Sequence, residues 1–183
     1  EHRRFIALTR ATFETCRRTG FAPQILHCND WHTAFGPLLL DAEYAQDPLF
    51  SGTRSVLTIH NIGYQGIFDA RQVADLGLAD PHWLHQDDLR AGIVNALKHG
   101  ILYAHAVTTV SPTYAREICT AEYGMGLEQV LRARGSAVAG ILNGVDYDEW
   151  DPRRDRHLPI HYDEHTLGAK AELKRTFLAR QGL

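Results

Sequence analysis

Residues 55–68 read SVLTIHNIGYQGIF. Val56 through His60 has the β-branched and large apolar character that suits a covered, pleated strand. It runs directly into a loop where His60, Asn61, Tyr64 and Gln65 are spaced by Gly63 and Gly66. Glycine permits the φ angles or the close backbone approach that a ligand-facing loop often needs. A polar cluster at the exit of an apolar strand is where chemistry is expected, although a histidine at one strand end is by itself more often a structural hydrogen-bonder.

Working outward, the same pattern recurs. Residues 24–28 (QILHC) form a short strand that delivers Asn29, Asp30, Trp31 and His32 before helical periodicity over 33–44. Residues 106–110 (AVTTV) exit through Ser111 and Pro112, a helix start in which serine caps free N–H groups and proline takes the first turn. Residues 139–142 form a fourth strand, leaving through Asn143, Gly144, Val145 and Asp146. Between these lie helical patterns over 3–18, 93–103, 111 to about 120, 127–134 and 167–178. The last places Leu167, Ala171, Leu173, Lys174 and Leu178 in an amphipathic register. Residues 69–88 give a mixed signal, with a short helix over 71–76 and a break at 77–81.

Strands alternating with helices predict an α/β fold, a Rossmann-like parallel sheet with helices on both faces. In such a sheet ligands bind outside the carboxyl ends of the strands. All four polar clusters fall at that edge, so Asp30, His60 and Asn143 are expected to line one cleft.

The 183 residues, 44% of them hydrophobic, suffice for one domain with a proper core. A formal charge of −3 offers no broad footprint for nucleic acid or an anionic membrane. No apolar run reaches the length of a membrane span, and EHRRFIALTR lacks a signal-peptide core. Cys16, Cys28 and Cys119 are odd in number and form no CxxC pair, which suits a reducing compartment. The expectation is a cytoplasmic protein without nucleic-acid or membrane partners.

Asp30 can accept hydrogen bonds from hydroxyls, His60 can donate or accept one, and Asn61 and Asn143 offer paired donors and acceptors. That inventory suits a polyol such as a sugar. Trp31 and Tyr64 have aromatic faces that can stack on a hexose or serve the core. Other chemistries fit worse. Gly124-Met125-Gly126 begins like a dinucleotide fingerprint, but Gln129 stands where the third glycine belongs and no strand directly precedes it. Ser111 lacks the glycine-flanked elbow of an α/β-hydrolase. His82 with His85, and the series His157, His161 and His165, have helical spacing, but Pro81 and Pro159 disrupt it and no carboxylate or thiol completes a site. Neither a metal nor a cofactor is expected. Arg153, Arg154 and Arg156 among Asp151 and Asp155 read as a solvated charged turn.

With these residues assembled, the chain resembles the ADP-glucose-dependent bacterial glycogen synthase and plant starch synthase family. The matching segments are HCNDWHTAFGP (27–37), SVLTIHNIGYQGIF (55–68), NALKHGILYAHAVTTVSPTYAREI (95–118), YGMGLEQVL (123–131) and ILNGVDYDEWDP (141–152), in family order and with family-like spacing. The resemblance implies part of the N-terminal domain of a GT-B glycosyltransferase, whose two facing Rossmann-like domains bind a nucleotide sugar and an acceptor across a cleft. Residues 1–165 would belong to that N-terminal domain, and 166–183 would be a helix leading toward a C-terminal domain absent from this sequence. The family's KTGGL-type phosphate loop has no counterpart before Glu1, so an internal piece is expected.

The implied reaction transfers glucose from ADP-glucose to the non-reducing end of an α-1,4-glucan, with retention. Carried over from the family are His60 near the donor glucose with Asn61 beside it, Asp30 of DWH on the sugar side of the cleft, and Asn143 of LNGVD in the donor pocket. His60 and Asp30 are the expected catalytic residues; Asn61, Tyr64, Gln65, Asn143, Gly144 and Trp31 are expected to bind substrate. The groups that neutralise the diphosphate would lie outside these residues, so the segment alone is expected to be inactive. A noncatalytic glucan-binding or interaction module built from the same domain is the alternative.

Overall fold

The structure, a computed structural model, describes residues 1–135 and 138–183. Its first elements in chain order are α1 (His2–Thr19), β1 (Ile25–Asn29), α2 (Asp30–Thr33), α3 (Phe35–Ala42), β2 (Arg54–Ile59) and β3 (Ile67–Asp69). Two 3₁₀ segments, Ala70–Leu76 and Pro81–Trp83, lead to α4 (Gln86–Arg90), β4 (Ile93–Asn95) and α5 (Ala96–Tyr103). Then come β5 (Ala106–Thr109), α6 (Pro112–Glu117), α7 (Glu128–Ala133), β6 (Val138–Gly140) and α8 (Gly168–Arg180). They fall into two compact units, Glu1–Leu142 and Asn143–Leu183, each described by itself.

In the first unit β1, β2, β5 and β6 form a parallel sheet in that order, so the expected α/β parallel-sheet class holds. The register sets Asn29 opposite Thr58 and Ile59 opposite Thr109, which brings the carboxyl ends of the first three strands out together. Period-two alternation sorts the side chains. Leu57, Ile59 and Val107 are fully buried on one face, against Leu97, Ile101, Ile118 and Leu131 from α5, α7 and the end of α6. On the other face His27 contacts the Thr58 hydroxyl at 2.7 Å, which meets the Thr108 hydroxyl at 2.7 Å. Val56, Thr58, Ala106 and Thr108 there are only half-buried. A second cluster packs Ile6 and Phe13 of α1 on Leu38 and Leu39 of α3, with Phe50, Leu76 and Val94.

Several local readings are met in detail. The Ser111 hydroxyl accepts the Thr113 and Tyr114 N–H groups at 3.2 and 3.3 Å, with Pro112 opening α6. Helix α5, expected from residue 93, begins instead at Ala96. Ile93–Asn95 pairs antiparallel with Ile67–Asp69, and the Asn95 side chain accepts the Lys98 N–H at 3.0 Å to cap the helix behind it. Strands of three residues are too short to show a period of two, which is why this ribbon is not readable from the pattern.

In the second unit α8 forms where the terminal helix is expected, but in another register. None of its residues is buried; Ala169, Leu173, Thr176 and Leu178 are half-buried, while Leu167 and Phe177 are exposed. The arginine turn also differs from a simple solvated charge run. Asp151 is buried and accepts from the Arg153 guanidinium at 3.0 Å, and that pairing holds its carboxyl below the usual range. Asp146 accepts the Asp148 N–H at 2.9 Å, so Asn143 and Gly144 lead into an Asx-type turn.

Candidate active site

The site grows from the carboxyl ends of β1 and β2. Asp30, the residue that leaves β1, adopts a left-handed φ of 52°. Aspartate is among the few side chains that tolerate this region, and strained backbone of this kind clusters at functional sites. The turn aims the Asp30 carboxylate at the neighbouring strand exit, where Oδ1 accepts the His60 backbone N–H at 2.7 Å. His60 Nε2 lies 3.1 Å from the Asn29 side-chain oxygen. Backbone and side chain of His60 are thus both tied to the β1 exit, which orients the imidazole before any ligand arrives.

The loop after His60 is fixed at several points. Asn61 Oδ1 accepts the Gly63 N–H at 2.9 Å, an Asx turn that spends its carbonyl on the loop itself. The Tyr114 hydroxyl accepts the Ile62 N–H at 3.0 Å, which joins the third strand-end cluster to the second. Gly66 has a φ of +63°, and a Cβ there would stand 2.2 Å from Trp31 Cε3. Glycine is required twice over, by the backbone and by the indole beneath. Trp31 is half-buried, edge-on to Phe5 at 4.9 Å and stacked on His32 at 4.3 Å, so part of its surface is already used in packing. Tyr64 is 67% exposed and remains available to a ligand.

Two adjoining clefts share Trp31, Tyr64 and Glu1. One, of about 390 Å³, is completed by Asp30, His32 and Asn61. The other, of about 550 Å³, runs past Gln65 and Gly66 to Phe68 and Met125. Five expected site residues, Asp30, Trp31, Asn61, Tyr64 and Gln65, therefore line one continuous depression at the strand ends. His60 is exposed and hydrogen-bonded to Asp30 but lines neither cleft. Asn143 and Gly144 belong to the second unit and are exposed there. Glu1, His2, Phe68 and Met125 also line the depression; Phe68 and Met125 fall in the quoted family segments without having been singled out as site residues, and the packing of α1, β3 and the 123–126 loop brings all four there.

The cysteines are unpaired thiols. Burial pushes the Cys28 thiol up to about 12, which makes it inert as a nucleophile. Among the histidines considered as metal ligands, His82 contacts the Asp80 carboxylate at 2.6 Å and His85 the Asp88 carboxylate at 3.3 Å.

A parallel α/β sheet with a polar, aromatic-rimmed depression at its strand ends places the chain among domains of Rossmann-like architecture. The family model described as "Starch synthase catalytic domain" matches residues 1–133, and the chain belongs to that family. The glycogen synthase of Koribacter versatilis (strain Ellin345) is 48% identical over 181 residues, covering 98% of this chain and 37% of that protein. The glycogen synthase of Myxococcus xanthus (strain DK1622) is 45% identical over 183 residues, covering 100% of this chain and 38% of that protein. A solved structure titled "Catalytic domain of Starch Synthase IV from Arabidopsis thaliana bound to ADP and acarbose" superposes with a TM-score of 0.78 at 38% identity, covering 100% of this chain and 38% of that one. The chain thus spans somewhat over a third of the length of its relatives, and its architecture is of the GT-B type.

Proposed function

We propose that these residues form the sugar-side part of an active site that transfers glucose from ADP-glucose to the non-reducing end of an α-1,4-glucan, with retention. The observation that carries this reading is the Asp30–His60 pair, held by a 2.7 Å hydrogen bond beside an aromatic-rimmed depression. Glycosyl transfer builds positive, oxocarbenium-like charge on the sugar. A carboxylate next to that charge stabilises it, and an oriented imidazole hydrogen-bonds the glucose or its transferred group. Asn61, Tyr64, Gln65 and Trp31 supply polar and stacking contacts to sugar rings, and Asn143 and Gly144 contribute to the donor pocket. The leaving diphosphate serves as the base. Residues 1–165 are assigned in this reading to the N-terminal domain and 166–183 to the passage toward the second domain. The solved starch synthase that resembles the chain carries ADP and acarbose, which supports a nucleotide-sugar donor and a glucan acceptor.

The cations or N–H groups that a departing diphosphate needs are not among the site residues named here, and losing even one such donor costs on the order of 10² in rate. The 183-residue segment is therefore expected to be inactive. The test is a glucan-elongation assay with ADP-glucose on the longer protein containing this segment and on the segment alone. Elongation by the longer protein only is the expected result. Binding of glucan without transfer by the longer protein would favour a noncatalytic module, and equal transfer by both would show that the donor site is misplaced.

A further inference from the structure

We propose that Asn95, a buried residue outside the clefts, is a positioning residue that holds the 123–126 loop against the sugar-binding depression through the side chain of Gln65. Asn95 is 5% exposed and ends β4. Its Oδ1 accepts the Lys98 N–H at 3.0 Å, and its Nδ2 donates to Gln65 Oε1 at 2.6 Å. Gln65 Nε2 donates in turn to the Met125 carbonyl at 2.9 Å. The chemistry of the two ends dictates the direction of this relay. A backbone N–H at Lys98 demands an oxygen, and a backbone carbonyl at Met125 demands an NH₂. Two primary amides in series satisfy both, and only in the orientation described. A carboxylic side chain of the same shape at either position would face oxygen against oxygen at one link.

What the relay holds is a segment that needs holding. Met125 has a φ of 52° and Gly126 a φ of 86°, two consecutive residues in the left-handed region, the first of them not glycine. Such backbone persists where surrounding contacts over-determine it. Met125 is 60% exposed and lines the larger cleft with Trp31, Tyr64 and Gln65, so this loop is one wall of the depression. The other end of the relay is rigid. The Asn95 carbonyl contacts the fully buried His99 ring at 2.7 Å, and the Gln65 and Gly66 carbonyls accept the Leu97 and Ala96 N–H groups at 3.0 and 3.4 Å. Rigidity in the core beneath α5 is thereby delivered, by one hydrogen-bonded chain, to the wall of the cleft. Because that wall stands beside the aromatic surfaces suited to sugar rings, the relay sets glucan affinity. This last step rests on the function proposed above.

The test uses the longer protein with Asn95→Asp, Gln65→Met, which removes both of its links without adding charge, and the double variant. Aspartate at 95 retains the oxygen that caps α5 while the donor to Gln65 is lost, and the unfolding midpoint of each variant is measured alongside. The expected result for Asn95→Asp is amide hydrogen exchange in 123–127 faster by about fivefold, the scale of one lost hydrogen bond. The KM for glucan is expected to rise by a similar factor, with a smaller effect on kcat and on the KM for ADP-glucose. The double variant should exchange no faster than the worse single one, since both break the same relay. Unchanged exchange in 123–127, additive effects, or a loss confined to kcat overturns the proposal. Should the unsubstituted protein elongate no glucan, the functional reading fails, while the exchange measurement and the double variant still decide whether the relay holds the loop.

Discussion

The Asp30 carboxylate and the His60 backbone are joined by a 2.7 Å hydrogen bond across two adjacent strand ends, from a residue whose φ of 52° is left-handed. The pair separates two roles of one side chain: an oxygen that orders the loop, and a negative charge beside the depression. Substitutions can divide them. Asp30→Asn keeps an oxygen for the His60 N–H and tolerates the backbone, so the unfolding midpoint should move little. Turnover in the longer protein should fall by roughly 10² if the charge stabilises the transition state. Retained turnover with unchanged stability would remove Asp30 from the mechanism.

For His60, replacement by alanine leaves the backbone N–H on Asp30 intact and removes only the imidazole. Turnover is expected to drop by about 10²-fold or more, with a much smaller change in glucan affinity. Steady-state kinetics at varied glucan and fixed ADP-glucose reads both quantities, and an effect limited to glucan KM would reassign His60 to acceptor binding.

Gly66→Ala should be among the most damaging single-methyl changes in the first unit. The added Cβ would lie 2.2 Å from Trp31 at a φ of +63°. Strain and overpacking together predict a loss of roughly 2–4 kcal/mol, measurable by denaturant unfolding. A loss below about 0.5 kcal/mol, the range of an indifferent surface change, would mean the indole and the loop shift freely.

His99 gives a pH prediction. Burial pushes its imidazole below the ordinary histidine value, and groups facing it include Asn95, His85, Asp88 and Lys98. A histidine depressed in the folded state binds protons more readily when unfolded. Its contribution is therefore present above the unfolded value of about 6.5 and is lost as pH falls from there toward the folded value. Stability should decline from pH 7 to pH 5, and His99→Gln should flatten that decline even while lowering stability overall. Denaturant midpoints across that range provide the check; parallel curves for the two proteins would rule out His99 as a source of the slope.

Legibility of the sequence varied with distance along the chain. Strands β1, β2 and β5 and the Ser111 cap were readable because apolar runs and capping chemistry are local. That the polar clusters after β1, β2 and β5 share an edge followed from parallel topology alone. The β3–β4 ribbon was hidden by strands of three residues, and Ile93, which completes a helical spacing with Leu97 and Ile101, in fact lies in β4. The Asn95–Gln65–Met125 relay was hidden for another reason. Its partners are separated by 30 and 60 positions, and amide-to-carbonyl contacts impose no periodicity on a sequence. Gln65 lines the cleft as expected for a substrate-binding residue, while one donor and one acceptor of its amide are engaged within the protein.

The left-handed turn at Asp30 bears on how this protein would respond to engineering. Glycine would relax the backbone there but give up the oxygen that orders His60, whereas asparagine tolerates the same conformation and keeps that oxygen. A library sorted for thermal resistance would accordingly accept Asp30→Asn and discard the charge beside the depression. Selection for robustness is blind to a charge that selection for turnover would keep, so Asp30 belongs among the sites to hold constant when the scaffold is hardened.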